Sequence, residues 1–338
     1  MKKEALDIIT KTNTPTFSVS TLIPKQWLMN EERLWDRKIT NSESIKNYLN
    51  RDISVFLSKN SHAVPVKEGE VRLAFDLRAG KVFGERQSLF VFGRYKKLIA
   101  GLSQSRWICK SCKGRGCKKC GGKGKNYESV EERIGEILKQ EFNASAYTMH
   151  ASGREDVDAT NTAGRPFVME IKNTENRNGS LENAGKQINK GMEVVVCDLR
   201  IVGRTFIEVV SESHFDKEYE IDVEFEKEVD ESELKKILML AGKTLEQRTP
   251  SRVTHRRADL IRKRRIIELE LLKTLDPRHK TFRILAEAGT YIKELVFGDN
   301  GRTKPSFAEV LGFGAKCTRL NVSKICDGFL ELCVSKTE

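Results

Sequence analysis

The chain has 338 residues and a formal net charge of +12, with 38% hydrophobic and 32% charged residues. This length exceeds one small core and predicts two domains, or one domain with an appended module. The basic balance favours a polyanionic partner such as tRNA, DNA, a ribosome or an acidic membrane. No apolar run approaches the roughly 20 residues of a membrane span, and the first residues have no apolar signal region. We therefore expect a soluble, cytoplasmic protein.

The first 84 residues predict a small α+β unit. Alternating and β-branched residues predict strands over residues 16–23 and 71–77. Apolar residues at helical spacing predict a helix over residues 42–59, with Ser42 as its N-cap. No group of residues in this region resembles a catalytic site, so we expect an accessory binding role for it.

Residues 94–125 combine eleven basic side chains with no acidic one. They contain a C-x2-C-x4-C-x2-C pattern formed by Cys109, Cys112, Cys117 and Cys120. Each C-x2-C pair can place two thiolates on one tetrahedral ion, and the glycines between them permit tight turns. Four thiolates leave no open position, so we predict a structural zinc knuckle over residues 105–127. An iron–sulfur cluster and unliganded thiols are the alternatives.

The composition of the knuckle also predicts contact with phosphates. Its cations can bind phosphates, and Trp107 and Tyr127 offer rings for stacking.

Beyond residue 128, predicted strands outnumber helices. Ser129 and Glu132 form a capping-box pattern before one apolar stripe, and Asp230 and Glu233 form another. Residues 217–225 alternate most clearly, with apolar side chains on one face and charged ones on the other. Further strands are predicted over residues 164–172, 194–199, 248–265 and 282–286. No βαβ rhythm appears, so the expected fold class is α+β with a mixed, mostly antiparallel sheet.

Residues 151–159 (ASGREDVDA) crowd three acids and an arginine into a short stretch that could be a solvated loop. In one catalytic interpretation Asp156 is a nucleophile or base, and Lys293 keeps it ionised. In another, Asp156 joins Glu170 and Lys172 in a magnesium-dependent nuclease site. The third possibility is a non-catalytic tRNA-binding zinc protein. The residues alone leave these possibilities open.

Several motifs in matching order favour the first interpretation. Gly153-Arg154-Glu155-Asp156 resembles the Gly-Arg-x-Asp motif of pseudouridine synthases. Residues 289–295 (GTYIKEL) resemble a segment of the bacterial tRNA Ψ55 synthase. More narrowly, roughly residues 85–310 resemble the archaeal and eukaryotic tRNA pseudouridine 54/55 synthase family. The matching segments are residues 92–95, 152–159, 164–167, 247–250, 254–257 and 298–305, and the knuckle resembles that of archaeal members.

The resemblance implies a fold and a domain plan. We expect a pseudouridine synthase catalytic domain over residues 85–338 with the knuckle inserted. Residues 1–84 resemble a shortened THUMP-like domain, which implies an accessory RNA-binding role.

The resemblance also implies isomerisation of uridine at position 54, position 55 or both in the T-loop of tRNA. Asp156 would be the nucleophile, and Tyr219 would stack on the flipped base and assist proton transfer. Lys293 would pair with the aspartate, and Leu295 would be the apolar residue beside it. No catalytic cofactor is implied. The expected partner is the T-arm of tRNA, with no protein partner, no membrane and a monomeric state.

Basic residues of the matching segments are expected to hold the tRNA backbone. They are Arg154, Arg165, Arg248, Arg256, Arg257, Arg302 and Lys304. Arg154 would orient the phosphate of the flipped nucleotide or pair with Glu155, and Asp158 would form local hydrogen bonds. Two departures from the family pattern are expected to affect substrate binding. Residues 160–163 replace an Arg-Met-Leu-Gly-like loop, and Phe297 stands where a histidine is common.

Overall fold

The computed structural model describes residues 1–37, 42–254, 257–328 and 330. The chain divides into two compact units. The first contains Met1–Leu89, Phe142–Ala146 and Ile171–Asn178, and the second contains Phe90–Glu141, Tyr147–Glu170 and Gly179–Glu338. The first unit thus includes two short segments from the middle of the chain. The domain boundary expected at residue 84 leaves these two segments out. No helix in the described part of the chain is both long and apolar enough to cross a membrane.

The first unit places helices on a small sheet. Its elements from the first 89 residues are α1 (Lys2–Thr12), β1 (Thr16–Leu22), α2 (Lys25–Asp36), α3 (Ile45–Lys59), β2 (Val64–Pro65), β3 (Val71–Asp76) and β4 (Lys81–Arg86). The strand order is β2-β1-β3-β4. Ile9 of α1 and Leu57 of α3 share a buried core with Phe17 and Leu73. Ser44 caps α3, so the prediction of Ser42 was wrong: the helix begins later than its apolar spacing suggested.

The remaining elements confirm the predicted excess of strand residues. In chain order they are β5 (Leu89–Lys97), α4 (Val130–Glu141), β6 (Ala146–Ala151), β7 (Thr160–Lys172), α5 (Leu181–Asn189), β8 (Val194–Val202), α6 (Phe206–Ser211), β9 (Lys217–Phe225), α7 (Glu231–Leu238), β10 (Thr244–Arg248), β11 (Ile261–Thr274), β12 (His279–Ala286), α8 (Ile292–Phe297), β13 (Thr303–Lys304), α9 (Phe307–Leu311) and β14 (Ala315–Ile325). Short 3₁₀ turns lie at Lys118–Cys120, Ser251–Val253 and Gly298–Gly301.

The larger sheet is mixed and mostly antiparallel, as predicted. Among the described residues it has ten strands in the order β13-β10-β11-β12-β9-β14-β7-β5-β8, with β6 paired to β7. Strand β9 is antiparallel to both of its neighbours, β12 and β14. Strand β14 runs parallel to β7, which makes the sheet mixed.

Strand β9 anchors the core of the second unit. Its alternate residues Tyr219, Ile221, Val223 and Phe225 are buried, which confirms the alternation predicted from the sequence. The ring centroids of Phe225 and Phe282 on β12 are 6.4 Å apart. Aromatic and branched side chains from α8 and α9 complete the same core. Strand β9 is therefore packed into this core along its length, from Tyr219 near its beginning to Phe225 at its end.

The basic stretch over residues 248–265 is not one strand, which corrects the prediction. Strand β10 ends at Arg248, a 3₁₀ turn follows Pro250, and β11 begins at Ile261. Proline has no N–H to donate to a sheet ladder. The backbone N–H of Ser251 instead donates to the Asp299 carboxylate at 2.8 Å. The chain therefore turns here, and the turn carries Arg252.

Residues 160–163, expected to form a loop, begin strand β7 instead. Thr160 and Asn161 pair in parallel register with Asn321 and Val322 of β14. The Asn321 side chain receives a hydrogen bond from the Thr160 hydroxyl at 3.0 Å and donates one to the Thr162 hydroxyl at 2.9 Å. Sheet pairing therefore orders this segment.

Candidate functional site

A cleft of about 330 Å³ lies in the second unit. Its walls come from the loop between β6 and β7, from β9, from the turn after β10 and from the segment that enters α8. Asp156, Tyr219 and Lys293 all line it. Three of the four residues proposed from the sequence for catalysis therefore meet, although they lie far apart along the chain.

Asp156 lies in the Asp156 loop (residues 152–159), which connects β6 to β7. The loop turns at Gly153, whose φ of +69° suits glycine. Asp156 Oδ1 accepts a hydrogen bond from Arg252 Nη1 at 2.9 Å, and Lys293 Nζ lies 3.6 Å from Oδ2. Burial opposes ionisation of the carboxyl, but the charges of Arg252 and Lys293 outweigh it and lower the pKa of Asp156. Asp156 is therefore ionised at neutral pH.

Lys293 bridges two carboxylates. Its Nζ lies 2.6 Å from both carboxylate oxygens of Asp158 and farther from Asp156. Asp158 therefore does more than form the local hydrogen bonds expected from the sequence. It holds the lysine from the solvent side, because its side chain is 70% exposed.

Arg252 is the closest cation to Asp156, and the sequence reasoning missed it. Its Nε donates to Glu294 Oε1 at 2.7 Å while its Nη1 contacts Asp156. Glu294 is only 1% exposed. A signal was present, because an acidic residue inside the apolar run of α8 becomes buried and then requires a cationic partner. The sequence alone could not show which cation pairs with Glu294.

Lys217 is a second cation of the cleft that the sequence reasoning missed. It lies on β9, two residues before Tyr219, and its Nζ donates to the backbone oxygen of Phe215 at 2.7 Å. Burial and the nearby charge of Arg165 lower the pKa of Lys217 to about 8. The cleft therefore contains an amine that loses its charge in mildly alkaline solution.

Tyr219 and Leu295 have different positions. Tyr219 is 8% exposed on the cleft wall, and burial raises the pKa of its hydroxyl to about 12. The phenol is therefore neutral at physiological pH. Leu295 is fully buried in the core beneath α8 and does not line the cleft. The expectation that Leu295 lies beside the reacting groups is therefore corrected. On α8 the side chain of Lys293 faces the cleft, whereas that of Leu295 faces the core.

Arg165 belongs to the cleft wall but is almost fully buried, which leaves little of its side chain for the predicted contact to the tRNA backbone. Its side chain is 1% exposed, and its Nε lies 2.7 Å from Glu155. Its Nη1 also donates to the backbone oxygen of Ser152 at 2.7 Å. Tyr95 donates a further hydrogen bond to Glu155 at 2.9 Å. Arg165 therefore supports the Asp156 loop from below.

The other basic residues fall into three groups. The Arg154 guanidinium lies over the Trp107 ring, 5.6 Å from its centroid, and Glu155 pairs with Arg165 instead. Arg257 lines the cleft and donates to the Tyr291 hydroxyl at 2.9 Å. Arg248 and Arg302 share Asp259, and Lys304 is exposed on β13. Arg256 lies outside the described residues.

The geometry gives no support to the nuclease interpretation. Glu170 does not line the cleft that holds Asp156, and its carboxylate lies 3.4 Å from His150 Nε2. Within the described ranges, the knuckle cysteines are the one group of three or more potential metal-ligating side chains. The cleft therefore does not bring Glu170 to Asp156 as a shared magnesium site would require.

The four knuckle cysteines converge on one point. Their Sγ atoms lie within 4.8 Å of one another, with neighbouring pairs at 3.8 and 3.9 Å. Sulfurs around a tetrahedral zinc at 2.3 Å would be about 3.8 Å apart. A Cβ at Gly116 would come within 2.4 Å of a backbone oxygen, and one at Gly124 within 2.3 Å. The donor set and the tight backbone therefore fit a structural zinc ion.

Backbone N–H groups lower the pKa of Cys109 and Cys120 in the knuckle, whereas burial raises the pKa of Cys112. The N–H groups of Cys117 and Gly124 point at Cys120 Sγ from 3.2 Å and lower its pKa to about 6. Cys109, Cys112, Cys117 and Cys120 would hold the ion, which would brace the hairpin and leave no ligand position for chemistry.

Metal analysis of the purified protein should find about one zinc ion per chain. Cys120→Ser should lower that content sharply and loosen the hairpin, because it removes one of four ligands. Cys197→Ser is the matched control, since Cys197 is exposed and outside the cluster. The measurement is the zinc content of each variant by plasma mass spectrometry after anaerobic purification. A zinc-free wild type, or full retention in Cys120→Ser, would contradict the site.

An ionised carboxylate between two cations, a neutral tyrosine beside it and surrounding basic segments are typical of an enzyme that acts on a polyanion. The family model described as "Pus10, C-terminal" matches residues 90–326. A tRNA pseudouridine synthase Pus10 of Korarchaeum cryptofilum is 39% identical over 288 residues, which covers 83% of this chain and 77% of the relative. One from Methanothrix thermoacetophila is 36% identical over 324 residues, covering 94% and 72%. The chain belongs to the Pus10 family of tRNA pseudouridine synthases, and it is an isomerase.

A solved structure, "Crystal Structure of a Cbf5-Nop10-Gar1 Complex", shares 18% identity with this chain at a TM-score of 0.35. The matched region covers 56% of this chain and 43% of the chain in that solved structure. That overlap is too small to support a conclusion about the fold.

Proposed function

We propose that this chain isomerises uridine at position 54, position 55 or both in the T-loop of tRNA, with Asp156 as the nucleophile. The observation that carries the proposal is the ionised Asp156, held by Arg252 and Lys293 in a cleft of a Pus10 family member. A carboxylate attacks only when it is ionised and oriented. The two cations supply both conditions without a catalytic metal.

The proposed reaction rearranges the nucleoside without gain or loss of atoms. The Asp156 carboxylate forms a bond to the nucleoside as the glycosidic bond to nitrogen breaks, and the bond to Asp156 breaks again when a ring carbon of the base bonds to the sugar. That carbon then loses its proton, and the freed nitrogen gains one. The uridine must leave its stack to reach the cleft. Tyr219 offers a ring on which the flipped base can stack. Because burial keeps its phenol neutral, it can donate a hydrogen bond while the proton on carbon is lost.

Basic surfaces of the second unit would hold the tRNA backbone. Arg257 at the cleft and Lys304 on β13 would contact phosphates, and the knuckle would add its exposed lysines Lys110, Lys113 and Lys118. Contacts of this kind provide affinity that falls with salt concentration. Arg154 is positioned between the cleft and the knuckle ring of Trp107. It would orient a phosphate of the flipped nucleotide.

We also propose the domain roles. Residues 85–338 would form the catalytic domain with the knuckle inserted over 105–127, and residues 1–84 would be a shortened THUMP-like accessory RNA-binding domain. The protein would act as a monomer in the cytoplasm on the T-arm of tRNA.

The test is pseudouridine formation without divalent metal. Purified protein and an unmodified tRNA transcript, incubated in EDTA, should yield pseudouridine at position 54, position 55 or both, mapped by carbodiimide treatment and primer extension. Transcripts with cytidine at position 54 or at position 55 assign the site. Cleaved strands that appear only with magnesium would favour the nuclease, and binding without modification would favour a non-catalytic tRNA-binding protein.

A further inference from the structure

Lys97, the last residue of β5, has its ammonium group inside the second unit. The residue is 0% exposed, although it belongs to a basic stretch that composition assigns to the surface. Its Nζ donates to three backbone oxygens, those of Leu102 at 2.9 Å, Asp156 at 2.9 Å and Val157 at 3.2 Å. An ammonium has three protons, so these three oxygens use all of them. A buried cation satisfied by backbone alone is unusual and requires a reason.

Two of the three oxygens belong to the Asp156 loop, and one is the carbonyl of Asp156 itself. The loop has little regular structure between β6 and β7, so its backbone needs partners from elsewhere. Strand β5 supplies them from one face, because Tyr95 and Lys97 point the same way and Tyr95 contacts Glu155. Gly101 donates to the backbone oxygen of Val157 at 2.8 Å. The peptide that carries Asp156 is thus held on the side away from the cleft.

We propose that Lys97 is a positioning residue for the reaction: it fixes the Asp156 peptide so that the carboxylate faces the flipped uridine. This inference rests on the proposed function of Asp156. Lys97 does not line the cleft and touches no reacting atom. A misplacement of about 1 Å in a reacting group can reduce a rate on the order of 100-fold. Arg252 and Lys293 hold the carboxylate end, and Lys97 holds the backbone end.

The experiment compares Lys97→Met with Lys280→Met in the full chain. Lys280 is also buried, at 4% exposure, but it does not line the cleft, and its Nζ donates to the backbone oxygen of Pro277 at 3.4 Å. We expect Lys97→Met to lower kcat for pseudouridine formation on the order of 100-fold while the tRNA Kd changes less than about twofold. Lys280→Met should leave both nearly unchanged. Thermal unfolding of each variant shows the folded fraction at the assay temperature.

Two further measurements keep the inference testable if Lys97→Met folds poorly. Lys97→Gln retains N–H donors and should recover part of the lost kcat. Hydrogen exchange in the peptides containing Gly101 and residues 152–159 should become faster in the Lys97 variants only. A wild-type kcat in a folded Lys97→Met, or an equal loss in Lys280→Met, overturns the inference. An Asp156→Asn variant measured in parallel separates the two proposals: if it stays active, the role of Asp156 fails, and if it is inactive while Lys97→Met is normal, only the role of Lys97 fails.

Discussion

Asp156→Asn is expected to lower pseudouridine formation by at least about 10⁴-fold, because an amide of the same shape cannot act as the carboxylate nucleophile. The substitution also removes the negative charge between Arg252 and Lys293. Arg252 retains its ion pair with Glu294, so the fold around the cleft should persist. Single-turnover rates at saturating protein measure the loss, and filter binding should give a tRNA Kd close to that of the wild type.

Asp158→Asn is the matched control for this prediction. Asp158 lies in the same loop and contacts Lys293 more closely than Asp156 does, but its side chain is 70% exposed. We expect a loss of no more than about 10-fold, since a mostly exposed ion pair contributes little. Equal losses in the two variants would show that charge near Lys293, and not the Asp156 nucleophile, determines the rate.

Arg252→Met is expected to lower kcat by about 10² to 10³-fold at neutral pH, since it removes the closest cation from the reacting carboxylate. It should also change the pH dependence. In the wild type the pKa of Asp156 is lowered, so the rate should not fall through its protonation between about pH 5 and pH 8. Without Arg252, burial is opposed by Lys293 alone and the pKa rises. Because only the ionised form reacts, the acid limb of the pH–rate profile should move to higher pH.

Glu294 provides the control for this variant. Arg252→Met leaves the 1% exposed Glu294 without its guanidinium partner, which should lower the free energy of unfolding by about 2–3 kcal/mol. The double variant Arg252→Met/Glu294→Gln should recover most of that stability but none of the activity. Arg283→Met, which removes an exposed pair with Glu270, should leave kcat unchanged. An unshifted acid limb in Arg252→Met would contradict the role of Arg252.

Local patterns in the sequence were sufficient for several features. The alternation in residues 217–225 predicted β9, because a strand with one buried face repeats every two residues. The knuckle followed from cysteine spacing, since its four ligands lie within twelve residues. The excess of strands and the lack of a βαβ rhythm indicated a mostly antiparallel α+β fold. Short motifs also singled out Asp156, Tyr219 and Lys293, which meet in the cleft.

Tertiary structure decided what each charged residue does. Arg165 and Lys97 look like surface cations in the sequence, but both are buried against the Asp156 loop. Arg252 was hidden in a basic run, and Leu295 turned out to face the core. Hydrophobic periodicity is local and can be recognised in a few residues. Whether a cation is solvated or buried depends on acids and carbonyls that the fold brings from distant positions, so the environment of Asp156 is determined only when the chain has folded.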